Sequence, residues 1–153
     1  MEWIKRQGGF MSSPTLRIER LNPSGCPDPT AFEVLKHDQR TRFGYRPLVY
    51  VCSPFAGDTR ANVALARRFS AALVERGCIP VAPHLLFPQF MDDSDSDARE
   101  LAMFMGRIVM SKCEQVWIYA PQVSAGMREE ARWARHLDLP ITFVNHDFEE
   151  IHP

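Results

Sequence analysis

No apolar stretch of this chain approaches the ~20 residues of a membrane span, so transmembrane helices are not expected. An excess of one charge is missing too. Lys and Arg number 18 against 19 Asp and Glu, a formal net charge of -1, and the cations are scattered. Neither a nucleic-acid polymer nor a membrane surface is therefore expected as a partner. The four cysteines (Cys26, Cys52, Cys78, Cys113) contain no C-x-x-C pair, and Cys52 and Cys78 fall in or beside apolar runs. That favours reduced core thiols over zinc ligands or a disulfide framework. The first nine residues lack the apolar core of a signal peptide, which makes the cytoplasm the expected compartment. Two phosphate-loop signatures are absent as well: the Gly-Lys-Ser/Thr ending of a Walker loop and the G-x-G-x-x-G dinucleotide spacing.

What is present is enough for one ordinary domain: 153 residues, 45% of them hydrophobic. The chain divides near Pro47. Residues 1–46 are polar, punctuated by Gly8-Gly9, Pro14, Pro23, Gly25, Pro27 and Pro29, and carry only short apolar runs such as Leu16-Arg-Ile-Glu-Arg-Leu21. They read as a partly irregular extension with at most one strand or short helix. Residues 47–153 read as an α/β domain. Strands are expected at 48–53, 79–82, 115–120 and 140–144, and helices at 59–76, 95–112 and 125–137. In the first helix Val63, Ala66, Phe69 and Leu73 recur at helical spacing before Gly77. Apolar strands alternating with helices indicate a three-layer, flavodoxin/Rossmann-like open parallel sheet with helices on both faces.

In such sheets ligands gather at the carboxyl ends of the strands, here residues 53–58, 83–93 and 121–126. In the first loop, Ser53 and Gly57 can let hydroxyl and backbone approach a phosphate, with Arg60 as a nearby cation. Asp58 there reads equally as a helix N-cap. The second loop, Pro83-His84-Leu-Leu-Phe87-Pro-Gln-Phe90-Met-Asp92-Asp93, is long and aromatic. Phe87 and Phe90 either stack on a flat base or cover a sheet edge or subunit contact. His84 is a site residue or the partner of a backbone carbonyl, and Asp92 and Asp93 by themselves look like a solvated turn.

After the third strand comes Ser124-Ala-Gly126-Met-Arg-Glu-Glu130-Ala-Arg-Trp-Ala134. If this opens a helix, Ser124 is its N-cap, and Gly126, Glu130 and Ala134 share one face. A carboxylate then projects between two very small side chains beside a helix N-terminus that favours anions. The alternative is that Gly126 and Ala134 allow close packing on the sheet while Glu130 points to water.

Taken together, Ser53-Pro-Phe55-Ala-Gly57, His84 and Ser124-x-Gly126-x-x-x-Glu130-x-x-x-Ala134 resemble the nucleoside 2-deoxyribosyltransferase superfamily over about residues 47–145. Within it they look most like the 2'-deoxynucleoside 5'-phosphate N-hydrolases. Uncharacterised phage-type members with Pro-His-Leu-x-Phe-Pro-Gln-Phe look nearer still. The resemblance implies that Glu130 is a nucleophile toward C1' of the sugar, as in retaining glycosidases, with no metal or cofactor. It implies a nucleotide or nucleoside bound by Ser124 and Gly126 together with the first loop around Ser53 and Gly57; Phe55, Asp58, Arg60, His84 and Phe87 complete the candidate binding set. It also implies a homo-oligomer, a dimer or higher. The family's aspartate before the third strand falls on Gly106 here, which leaves Asp92 or Asp93 to take its catalytic part. Without a replacement, the same fold would serve as an inactive nucleotide-binding or sequestering protein.

Overall fold

The computed structural model describes residues 24–26, 37, 41–92 and 94–152. Its contacts separate Met1–Gly44 from Tyr45–Pro153. In the first unit residues 24–26 form a turn, and Thr41 Oγ1 donates to the His37 carbonyl at 2.9 Å. The apolar run at 16–21 lies outside the described residues, as does Asp93.

The second unit is built on β1 (Leu48–Cys52), whose Val49, Tyr50, Val51 and Cys52 are all buried. Strand alternation puts Tyr50 and Cys52 on one face of the sheet and Val49 and Val51 on the other. α1 (Thr59–Glu75) follows, capped by Asp58, which accepts from the Ala61 amide at 3.0 Å. Its inner face is Asn62, Leu65, Ala66, Phe69 and Leu73, while Val63, expected there, is only half-buried. Asn62 is buried because its amide donates to the carbonyls of Phe55 (3.1 Å) and Ala56 (2.9 Å), which ties down the first loop. Gly77, at φ 78°, closes the helix, and the next amide, that of Cys78, donates back to Leu73 at 2.9 Å.

β2 (Ile79–Val81) leads into a segment expected to be a plain loop, and here the structure differs. Residues Pro83–Leu86 form one helical turn, α2, with proline at its start, and Phe87–Gln89 continue as a 3-10 turn. Then come α3 (Ser96–Met110), β3 (Gln115–Tyr119), α4 (Ala125–His136) and β4 (Ile141–Val144), each within two residues of expectation. A short β5 (Glu150–Ile151), not anticipated, pairs antiparallel with β4.

The sheet order is β2-β1-β3-β4-β5, parallel apart from the last strand. Connections from β1 run outward one way to β2 and from β3 the other way to β4. The direction reverses between β1 and β3, and ligands bind at the carboxyl side of such a reversal. The expected open, mostly parallel α/β sheet is what the chain forms. Among the described residues no helix is long and apolar enough to cross a membrane.

Candidate active site

At that reversal lies a pocket of about 250 Å³, just under the ~300 Å³ at which small-molecule sites begin. Its walls come from the ends of β1 and α2 on one side and from α3 and α4 on the other. Glu130 is at its base. The Tyr50 hydroxyl donates to Glu130 Oε1 at 2.8 Å and the Cys52 thiol donates to Oε2 at 3.0 Å. The shared face of Tyr50 and Cys52 follows from strand alternation, and Glu130 reaches it from the first half of α4. Burial raises the Glu130 carboxyl above its usual range, and the two donors pull it back down. Burial and the facing carboxylate push the Tyr50 and Cys52 protons well above their ordinary values, so both stay protonated donors.

α4 brings its N-terminus to the same cavity. Ser124 Oγ accepts from the Met127 amide at 3.2 Å, and the Met127 sulfur accepts from the Ser124 amide at 3.5 Å. Ser124, Ala125 and Gly126 line the pocket, and the amides of a helix's first turn have no intrahelical acceptor. One turn beyond Glu130, Trp133 lines it too, with the Arg107 guanidinium 4.4 Å from the ring centre. Arg107 also lies 3.9 Å from Glu129, and its Nε is buried without a hydrogen bond among the described residues.

The opposite wall carries Ser53, whose Oγ is 2.9 Å from His84 Nε2, with the Phe55 ring edge-on to the imidazole at 6.2 Å. Burial lowers His84 to about 4, so it is neutral at pH 7. Phe87 lines the cavity, whereas Phe90 is 65% exposed and only packs edge-on against Phe87.

Of the residues singled out in the sequence, Ser53, Phe55, His84, Phe87, Asp92, Ser124, Gly126 and Glu130 line the pocket. Gly57, Asp58 and Arg60 stand outside its lining, Asp58 because its carboxylate is spent on the α1 cap. Asp92 is an exposed rim residue whose Oδ1 accepts from Ser94 twice, at 2.6 and 2.9 Å. Those bonds lower it and keep it ionised. Gly106 lies on the α3 wall, where an added Cβ would sit 3.4 Å from the Tyr50 hydroxyl. Tyr50, Cys52, Arg107 and Trp133 were not singled out. For the first two the signal was there, a phenol and a thiol at i and i+2 in an otherwise aliphatic strand. Among the described residues no group of three or more metal-ligating side chains converges.

The fold and pocket define a three-layer α/β protein with a ligand crevice between its first and third strands. The chain belongs to the family described as "Domain of unknown function (DUF7768)", whose model matches residues 47–144. Among curated proteins none matches it. Among solved structures it is similar to a 2-deoxyribosyltransferase from the psychrotolerant bacterium Bacillus psychrosaccharolyticus. The two share 16% identity and a TM-score of 0.51 over 69% of this chain and 77% of that one. At that identity the likeness is one of fold.

Proposed function

We propose that residues 47–153 hydrolyse or transfer the N-glycosidic bond of a (deoxy)nucleoside 5'-monophosphate. The observation that carries this reading is the Glu130 carboxylate, held by Tyr50 and Cys52 at the base of a nucleoside-sized pocket. A lone pair of Glu130 forms a bond to C1' as the C1'–N bond breaks. The base leaves with that electron pair and takes a proton from water. Water or a second base then attacks C1' and gives up a proton to the hydroxide left by the first step, while the electrons of the C1'–O bond return to the carboxylate. The 5'-phosphate lies against the α4 N-terminus at Ser124 and Gly126, where free amides and the helix dipole favour an anion. Gly126 and Glu130 are four residues apart, a rise of ~6 Å, which suits the reach from a 5'-phosphate to C1' of one furanose. The apolar wall with Phe55 and Phe87 takes the base. The fold shared with a 2-deoxyribosyltransferase supports the same direction.

One observation favours a second reading, a protein that binds the nucleotide without cleaving it. Gly106 offers no acid at the α3 wall, and Asp92, ionised at the rim, is unsuited to give a proton. Chromatography of free base after incubation with deoxy- and ribonucleoside monophosphates and nucleosides separates the two. We expect release by the wild type from monophosphates, and a loss of about 10³-fold or more in Glu130→Gln. Full activity in that variant would sink the nucleophile. Calorimetric binding of monophosphates with no base released would establish the second reading.

Pairing with a second copy belongs to the same proposal. The outward face of α3 shows Leu101, Phe104 and Ile108, each about half exposed, in line with Asp97 toward one end and Lys112 beyond the other. Antiparallel self-pairing about Phe104 sets Leu101 against Ile108 and Asp97 near Lys112. Light scattering should find a dimer that Phe104→Glu converts to monomer, and a monomeric wild type would refute the pairing.

A further inference from the structure

Cys52 makes two contacts that a core thiol does not need. Its sulfur is fully buried and lies 3.0 Å from Glu130 Oε2 and 3.9 Å from the Met127 carbonyl oxygen. A thiol has one proton, so one acceptor is served at a time. The nearer and charged acceptor is Glu130, while the Met127 carbonyl waits on the first turn of the same helix. Glu130 Oε1 is held by a phenol at 2.8 Å, the stronger donor, and Oε2 only by a weak one.

We propose that Cys52 is a positioning residue that holds Oε2 in the resting site and releases it as the attacking oxygen. This rests on the Glu130 reading above. As Oε2 bonds to C1' its negative charge is neutralised, and the thiol proton swings to the Met127 carbonyl without breaking any covalent bond. When the ester is resolved, the proton returns. Oε1, fixed by Tyr50, keeps the carboxylate plane in place throughout. A serine at this position would donate more strongly and hold the nucleophile back, whereas an alanine would leave Oε2 unheld and the carboxylate harder to ionise. The buried thiol is not poised for oxidation, because burial keeps it protonated and solvent does not reach it.

The other titratable groups lining the cavity are Arg99 and Arg107 from α3, His84 from α2 and Asp92 at the rim. His84 titrates near 4 and Asp92 is lowered, while Tyr50 and Cys52 are raised well above their usual values. The substrate phosphate also titrates at about 6, but equally in every variant, so the part of the acid limb that moves with the side chain at position 52 reads Glu130.

The test is the pH profile of single-turnover base release in wild type, Cys52→Ala and Cys52→Ser, with Cys78→Ala as a buried-thiol control. Alanine should move the acid limb to higher pH. Serine should move it to lower pH and slow the plateau about 10-fold, because a stronger donor replaces a weak one on the attacking oxygen. Limbs that stay together, or both move the same way, overturn the proposal. A second reading needs no turnover. The infrared S–H band that disappears in Cys52→Ala should shift as the wild type is titrated through the Glu130 range, and stay fixed in Glu130→Gln. A band indifferent to both pH and Glu130 refutes the contact itself. A shifting band in a protein that releases no base refutes the glycosidase reading while leaving the contact standing.

Discussion

The floor and the rim of the pocket are built on opposite plans. The floor, from β1 and α4, is rigid: Tyr50 and Cys52 are almost wholly buried, and both carboxylate oxygens of Glu130 are bonded. The rim, from Pro83 to Asp92, is a single helical turn and a 3-10 turn, with Leu86 and Phe90 more than half exposed. Among the described residues, only the Ser53–His84 pair fastens it to the end of β1 by side-chain hydrogen bonding. On the proposed reading, a fixed floor and a lightly anchored rim separate chemistry from recognition: the Glu130 carboxylate is held in place, and the surface facing the rest of the ligand can change with little effect on the fold.

The largest expected break in this contrast is Glu130→Gln. Besides removing base release, it should raise the melting temperature at pH 7. Because burial raises the Glu130 carboxyl above 4.5, the folded state holds that proton more tightly than the unfolded chain does. Stability therefore falls as pH rises through the shifted range, and the glutamine variant escapes that loss. Its advantage should vanish in acid below pH 4.5, and a variant less stable than wild type at pH 7 would contradict a buried carboxylate that costs stability when ionised.

A smaller effect is expected at the rim's anchor. His84 is lowered from 6.5 to about 4, so its contribution is complete above 6.5 and is lost as pH falls toward 4. Urea unfolding at pH 7 and 4.5 should show the wild type losing about 2 kcal/mol relative to His84→Asn, the opposite contribution of Glu130 being common to both proteins. An equal drop in both proteins would place the acid sensitivity elsewhere. Smallest of all is Phe90→Ser, expected within about 0.5 kcal/mol of wild type by the same assay. A loss well above 1 kcal/mol would make the rim as structural as the floor.

The sequence carried the floor's scaffold better than its chemistry. Strand runs such as Leu48-Val-Tyr-Val-Cys and helix stops such as Gly77 act locally, and local rules place them. Glu130 was also within reach, because a carboxylate four residues from Gly126 and four from Ala134 has a definite face. Its donors were harder to read, since pairing Tyr50 with Glu130 crosses 80 positions and depends on which sheet face α4 covers. Val63 shows the same limit. Helical periodicity alone favours it for the core, yet Asn62 displaces it because two loop carbonyls need a donor. α2 was missed because four residues are too few to show a period, and β5 because two residues gain strand character only from β4 beside them.

The sheet's two edges bear on how copies of this protein can meet. One edge is β2, three residues long with Pro80 at its centre, and the other is β5, two residues long and antiparallel to its neighbour. Neither offers the row of free amides and carbonyls that strand-to-strand association requires. Among the described residues, growth by sheet extension is therefore disfavoured at both ends. The self-complementary α3 seam proposed above closes after two copies, so on that proposal the same blunt edges that resist fibre formation also set a ceiling on size.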